Sequence, residues 1–294
     1  MEIRHRISAF NNSPQFDTLK KALDELEIKY ELKPLGLGTS CIICFLNDSD
    51  TNFTKVKPLI YQKFVTVQTG MHYTKEDLDE SEWFYITTSE SQYPQGEEDF
   101  RCYSYDLSNW CDKCGIGKVQ NQPFRLLRDF QQKKDVFFGL HWVFDEFFVR
   151  SSVKPILAEN GITGISYINP IYHGSGKEIA TVFQLKTDFI IQPTLITGDV
   201  DASAFLIDRR LWTSQEKYAR FCPFCNRVRY RHPQREVIKF KRAAFENVPD
   251  IVKGFEYFEG GDLAHRLVLA SKKFYDVVKK YKFRGLSFTP IRLE

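Results

Sequence analysis

"CDKCGIGKVQ", residues 111–120, sets two thiols three positions apart and closes the turn with Gly115. A residue that readily takes positive φ after the second cysteine lets backbone amides face the sulfurs while both sulfurs face one point. Two thiolates do not complete a structural zinc site, which takes four tetrahedral ligands. A second turn of the same chemistry, "CPFCN" at residues 222–226, carries Asn226 in the glycine position. Cys111, Cys114, Cys222 and Cys225 are therefore the predicted ligands of one structural zinc ion. About 107 residues separate the pairs, and closing a loop of that length costs about 4 kcal/mol plus a constant. Structural zinc contributes on the order of 10–16 kcal/mol, enough to offset the closure. The segments after the pairs, "IGKVQ" and "RVRYR", read as short strands, so the expected arrangement is a split zinc ribbon. Four sulfur ligands leave no open position for water, which makes the ion a staple and not a catalyst.

A redox dithiol has its first cysteine at a helix N-terminus, where the dipole lowers the thiol pKa, and neither pair opens an evident helix. "CIIC" (Cys41, Cys44) lies in an apolar run of strand character, where positions three apart point to opposite faces. These two, and Cys102, are expected to be plain buried thiols.

The 294 residues are 43% hydrophobic, enough for a sizeable core, and the net charge of +3 neither demands nor excludes a polyanionic partner. The opening "MEIRHRISAF" is too charged for a secretory segment and no run approaches 18 apolar residues. The expectation is a cytoplasmic protein with no membrane partner, whose seven cysteines are thiols rather than a disulfide framework.

The fold class expected is α+β, with a small N-terminal α/β unit over residues 1–101 and a larger α+β domain over 102–294. In the first, "MEIRHRISAF" reads as a strand, and Ser13 caps a helix with Phe16, Leu19, Leu23 and Leu26 on one face. "IKYEL" and "SCIICFL" are strands, Phe53–Phe64 a helix containing Pro58, and Thr74 with Asp77 a capping box. "EWFYITT" is the closing strand, and the polar stretch 89–99 is the loop that ends the unit. In the second, "VKPILAENGITGISYINPI" (153–171) echoes "YDVVKKYKFRGLSFTPI" (275–291), allowing a small gap: helix, bend, glycine, strand, proline. "HRLVLAS" is a buried strand leading to an amphipathic helix with Phe274, Val277, Val278 and Tyr281 inward.

No constellation of catalytic residues emerges, so the chain is not expected to be an enzyme. "HGSGKE" at 173–178 lacks the glycine and the Ser or Thr that a phosphate loop requires and reads as a surface turn. "LHWVFDEFFV" brings His141, Asp145 and Glu146 within helical reach, and reads as a core helix with those residues on its wet side. The segment 217–242 is basic, and on a strand Arg227, Arg229 and Arg231 would share one face that could track phosphates. The alternative is a solvated face, or arginines paired with the acidic stretch "EDLDESE" (76–82).

The chain from Cys102 onward, with "WCDKCG", "FRLL", "VKPIL", "GISYINPIYH", "FCPFCN" and the tail "LVLASKKFYDVVKKYKFRGLSFTP", resembles the bacterial double-CXXCG motif family, immunity proteins of toxin–immunity pairs. The resemblance implies that Cys111, Cys114, Cys222 and Cys225 are metal-type cysteines and that the chain binds and neutralises a cognate protein toxin. Glu76 to Glu82 is the candidate contact for a basic toxin. A zinc-ribbon nucleic-acid binder using Arg227, Arg229 and Arg231 is the alternative. Asn226 departs from the family glycine, and residues 1–101 have no counterpart in the family.

Overall fold

The computed structural model describes residues 1–60, 65–88, 91–92, 100–128, 135–196, 219–232, 236–258 and 263–294, with the backbone alone at 91, 92, 100 and 219–221. The chain divides into two units, one holding residues 1–77 and the other most of the chain from Leu78 onward.

The first unit runs β1 (Glu2–Phe10), α1 (Phe16–Glu25), β2 (Tyr30–Gly36), β3 (Thr39–Asn47), α2 (Thr51–Ile60) and β4 (Thr66–His72). Its strands lie in the order β2-β3-β1-β4, every neighbour antiparallel, which is the split βαβ arrangement of a βαββαβ chain. Alternation along β1 and β3 turns Ile7, Ala9, Ile42, Cys44 and Leu46 to one face, where Leu19 and Leu23 of α1 and Phe53 and Val56 of α2 cover them. The apolar face expected of α1 is therefore present, yet Ser13 does not cap it. The helix begins at Phe16 after Gln15, and the Ser13 hydroxyl donates to the Phe10 carbonyl instead. Thr74 and Asp77 do form the capping box that opens α3 (Lys75–Glu80), the Asp77 carboxylate accepting from the Thr74 amide at 2.8 Å. Residues 61–64 of the predicted second helix, and most of the loop 89–99, lie outside the described residues.

The second unit begins earlier than residue 102. Its first strand, β5 (Trp83–Thr88), is the strand expected to close the small unit. It instead pairs with β19 (His265–Ser271) and β20 (Leu286–Pro290) near the far end of the chain. A sequence pattern marks a strand but not its partner, so the boundary lies at Asp77/Leu78 and not near 101.

The remaining elements are β6 (Ser91–Gln92), α4 (Phe100–Ser104), β7 (Tyr105–Asp106), β8 (Val119–Gln120), β9 (Arg125–Leu126), β10 (Phe137–Leu140), β11 (Val143–Arg150), α5 (Lys154–Glu159), β12 (Ser166–Ile168), β13 (Ile171–Tyr172) and β14 (Val182–Lys186). They are followed by β15 (Ala219–Phe221), β16 (Val228–Tyr230), β17 (Lys239–Phe240), β18 (Ile251–Phe258), then β19, α6 (Lys272–Lys280), β20 and β21 (Arg292–Leu293). A five-stranded sheet runs β12-β14-β11-β10-β6 and a six-stranded sheet runs β15-β16-β18-β19-β5-β20. Residues of both, with α5 and α6, form one core around Phe84, Phe137, Phe147, Leu157, Val268 and Phe274. The fold is thus mixed α+β with several sheets.

Val143–Arg150 is a strand and not part of the predicted helix. "VFDEFFV" is rich in aromatic and β-branched residues, which suit a pleated surface. A two-residue turn at His141 and Trp142, the latter at φ 63°, folds it back on β10. The amphipathic helix at the C-terminal end stands as expected, with Phe274, Val277 and Val278 buried, but Tyr281 caps its end and is 38% exposed. Among the described residues no helix is long and apolar enough to cross a membrane.

Candidate metal centre

The two predicted cysteine turns are each the tip of a short antiparallel ribbon in the second unit: Cys111–Gly117 lies between β7 and β8, and Cys222–Arg227 joins β15 to β16. The two tips close by the same pair of backbone bonds. The amides of Gly115 and Asn226 donate to the carbonyls of Cys111 and Cys222, at 2.7 and 2.9 Å. The amides of Cys111 and Cys222 donate in turn to the carbonyls of Ile116 and Arg227, both at 2.9 Å. This closure needs the left-handed backbone found at Gly115 (φ 77°) and Asn226 (φ 56°). Asparagine thus fills the glycine position with the glycine conformation.

The four sulfurs converge. Cys111 Sγ lies 3.7 Å from Cys222 Sγ, Cys114 Sγ lies 3.6 Å from Cys225 Sγ, and all four lie within 4.8 Å of one another. A tetrahedron with zinc–sulfur bonds of about 2.3 Å has sulfur–sulfur edges of about 3.8 Å, whereas a disulfide needs about 2.05 Å. The spacing is geometrically compatible with a chelated metal ion. Cys111, Cys114 and Cys222 are buried and Cys225 is half-buried, packed with Ile116 and Ala264. Burial pushes the Cys114 thiol up to about 12. Cys222 also loses solvent, but the backbone amides of Phe224 and Cys225 and its thiol neighbours bring it down to about 7. Four thiolates this close repel one another, and a divalent cation among them removes that cost.

The three arginines expected on one face are not equivalent. Arg227 lies in the turn before β16, and its Nη1 donates to the carbonyls of Asn109 at 2.7 Å and Ile116 at 2.9 Å, so the second tip grips the first. Arg229 and Arg231 are half-buried. Lys217 and Arg235 of the basic segment lie outside the described residues, as does the side chain of Arg220. Gly117 makes the grip possible: at φ 101°, an added Cβ would stand 2.0 Å from the Asn109 carbonyl oxygen and 2.2 Å from Arg227 Nη1.

The other sequence candidates fall elsewhere. Cys41 and Cys44 are buried in the first unit, with burial pushing Cys44 up to about 11, but Cys102 is exposed rather than buried. Gly174 to Lys177 form an exposed turn, as expected of "HGSGKE". Arg242 makes a two-pronged pair with Glu82 at 2.8 Å, and Lys279 pairs with Asp79, so part of the acidic stretch is engaged within the chain.

Because β11 is a strand, Glu146 points into the protein and not to water. It meets Lys253 Nζ at 2.5 Å and Gln184 Nε2 at 2.8 Å, and Gln184 exchanges two amide bonds with Gln120. Burial opposes the charge on Lys253, yet the carboxylates of Glu146 and Asp145 hold its ammonium above the ordinary value. No pattern in the sequence marks this pair, whose members are 107 positions apart. No family model matches the chain, and no curated protein matches it.

Proposed function

We propose that this chain is a non-catalytic binding protein whose larger unit is stapled by one zinc ion, held in a split zinc ribbon by Cys111, Cys114, Cys222 and Cys225. The observation that carries the proposal is the convergence, within 4.8 Å, of four sulfurs from two turns 111 positions apart. Two ribbon tips with the same backbone closure, each ending in a left-handed residue, support the zinc-ribbon form. A site with four sulfur ligands offers no position for a reacting water, which favours a structural ion over a catalytic one.

The binding role rests on the resemblance of residues 102–294 to the double-CXXCG immunity family. The partner proposed is a cognate bacterial protein toxin, covered at its active or docking surface. Asp79 and Glu82 are already paired within the chain, so a basic toxin would meet the exposed Glu76 and Glu80 of α3. For the nucleic-acid alternative, Arg227 is spent on backbone carbonyls of the first tip, which weakens the phosphate track. The test is a pull-down with the product of the adjacent gene, and co-expression to relieve its toxicity. A stable complex and restored growth are expected; a harmless neighbour, or no rescue, contradicts the proposal.

A further inference from the structure

The two large sheets of the second unit share a four-strand order. The first runs β10-β11-β14-β12 and the second runs β18-β19-β5-β20, with every neighbouring pair antiparallel. Outside β10 and β18 the next contact is parallel in both, β6 on β10 and Ile190 on β18.

Register makes the correspondence residue by residue. Phe137 faces Val149 across β10 and β11, and Ile251 faces Ala270 across β18 and β19. Matching Phe137 to Ile251, 114 positions on, matches Val149 to Ala270, 121 positions on. Val149 faces Phe183 and Ala270 faces Phe84, so Phe84 matches Phe183, 99 positions on. The next pairs are not free to choose, and they agree. Tyr167 faces Leu185 while Phe288 faces Ile86, again 121 and 99 apart. Arg125 faces Ile171 while Lys239 faces Arg292, again 114 and 121 apart. Ser91 faces Gly139 while Ile190 bridges Lys253, again 99 and 114 apart.

Hydrogen bonds outside the strands keep the same offsets. Ile171 N donates to Phe124 O and Arg292 N to Ile238 O, both at 2.9 Å. His173 N donates to Leu126 O and Glu294 N to Phe240 O, both at 2.9 Å. The helix ends match as well: Ile162 N reaches Leu157 O, and Phe283 N reaches Val278 O, each at 3.0 Å.

The contacts between the two sets are reciprocal. Phe137 N donates to Arg284 O at 3.1 Å, and Ile251 N donates to Thr163 O at 3.2 Å. An added Cβ on Gly285 would stand 1.9 Å from Phe137 O, and one on Gly164 would stand 2.2 Å from Ile251 O. Contacts in which i meets j and j meets i are those of a twofold interface. The cysteines obey the same relation, Cys111 matching Cys222 and Cys114 matching Cys225. Each sulfur has its equivalent at 3.7 or 3.6 Å. An atom lies that close to its own symmetry mate only beside the axis.

We propose that residues 82–173 and 181–294 are two copies of one unit related by a twofold axis within a single chain. The four-thiolate site lies on that axis, with half of it supplied by each copy. The copies exchange strands, because β5 of the first completes the sheet of the second and β14 of the second completes the sheet of the first. The ion accordingly ties copy to copy. This last point rests on the zinc proposal, whereas the repeat stands without it.

A protease site in the exposed turn at Gly174–Lys177, cut in purified full-length protein, tests both parts. The two pieces are expected to elute as one species with one ion per pair, held by the exchanged strands. Chelation should weaken their association at least tenfold, and Cys111→Ser and Cys222→Ser should weaken it alike. Pieces that part on cutting alone, with metal present, overturn the exchanged repeat. An ion that stays with one piece, or chelation without effect, overturns its place on the axis. Uncut protein free of metal removes the zinc proposal, while pieces that still elute together uphold the repeat.

Discussion

His232 stacks on Tyr85 and lies tilted against Phe258, each at 5.0 Å, and loss of solvent, with His265 nearby, lowers its pKa to about 4. Between about 4 and 6.5 the unfolded chain binds a proton at this residue and the folded chain does not. Stability at this residue is therefore full above 6.5 and falls with pH through that window, by roughly 3 kcal/mol at most. A His232→Phe variant should show a flatter stability profile between pH 6.5 and 4 in urea unfolding; an unchanged slope contradicts the assignment. The Glu146–Lys253 pair makes a second prediction at this scale. Lys253→Met leaves a buried carboxylate without its cation, with Gln184 still donating to it, and should cost about 3–5 kcal/mol. Adding Glu146→Leu should recover most of that loss. The matching positions in the other copy are Leu267 and Gly139, so the fold already builds this place once without charge. Neither residue's role was legible in sequence. The run at 141–150 fits a helical face by coincidence of spacing, and the partner that turns Glu146 inward lies 107 positions away.

The two cysteine turns were legible as elements because their chemistry is local: two thiols, then a residue that accepts positive φ. The bracing between them was not, since Arg227 reaches carbonyls of a tip more than a hundred positions earlier. Gly117→Ala should therefore cost more than the left-handed strain of about 1–2 kcal/mol and should also loosen metal binding. Gly176→Ala is the control, for its φ of 67° is also positive but nothing stands within 4 Å of the added methyl. It should cost the strain alone and leave metal binding untouched. Equal losses in chemical unfolding would contradict the close approach at Gly117. The capping box at Thr74 was readable for the same local reason, whereas the Ser13 hydroxyl donates to the Phe10 carbonyl and the helix starts at Phe16 without a side-chain cap.

At the scale of the molecule the sequence showed both copies only as an echo. A sheet position constrains which face a side chain takes and how much space it fills, so Phe84 and Phe183 agree while Tyr85 and Gln184 do not. The identities with a geometric reason on both sides are Gly164 and Gly285, each against a carbonyl, and the four converging cysteines. The proline–isoleucine ending of the echo is coincidental, since the bonded register carries the 121-position offset through Ile171 and Arg292 without a gap. The misplaced boundary has the same origin: β5 belongs to a sheet whose other strands come much later in the chain. If one ion joins the copies, its removal acts on the whole second unit, and chelation should lower the urea midpoint of that unit. The most direct measurement is metal content with sulfur coordination by X-ray absorption on purified protein. One zinc per chain with four sulfurs at about 2.3 Å, lost in Cys111→Ser and Cys222→Ser alike, is the predicted result. Protein purified without metal, or an ion bound by nitrogen and oxygen, would contradict the account.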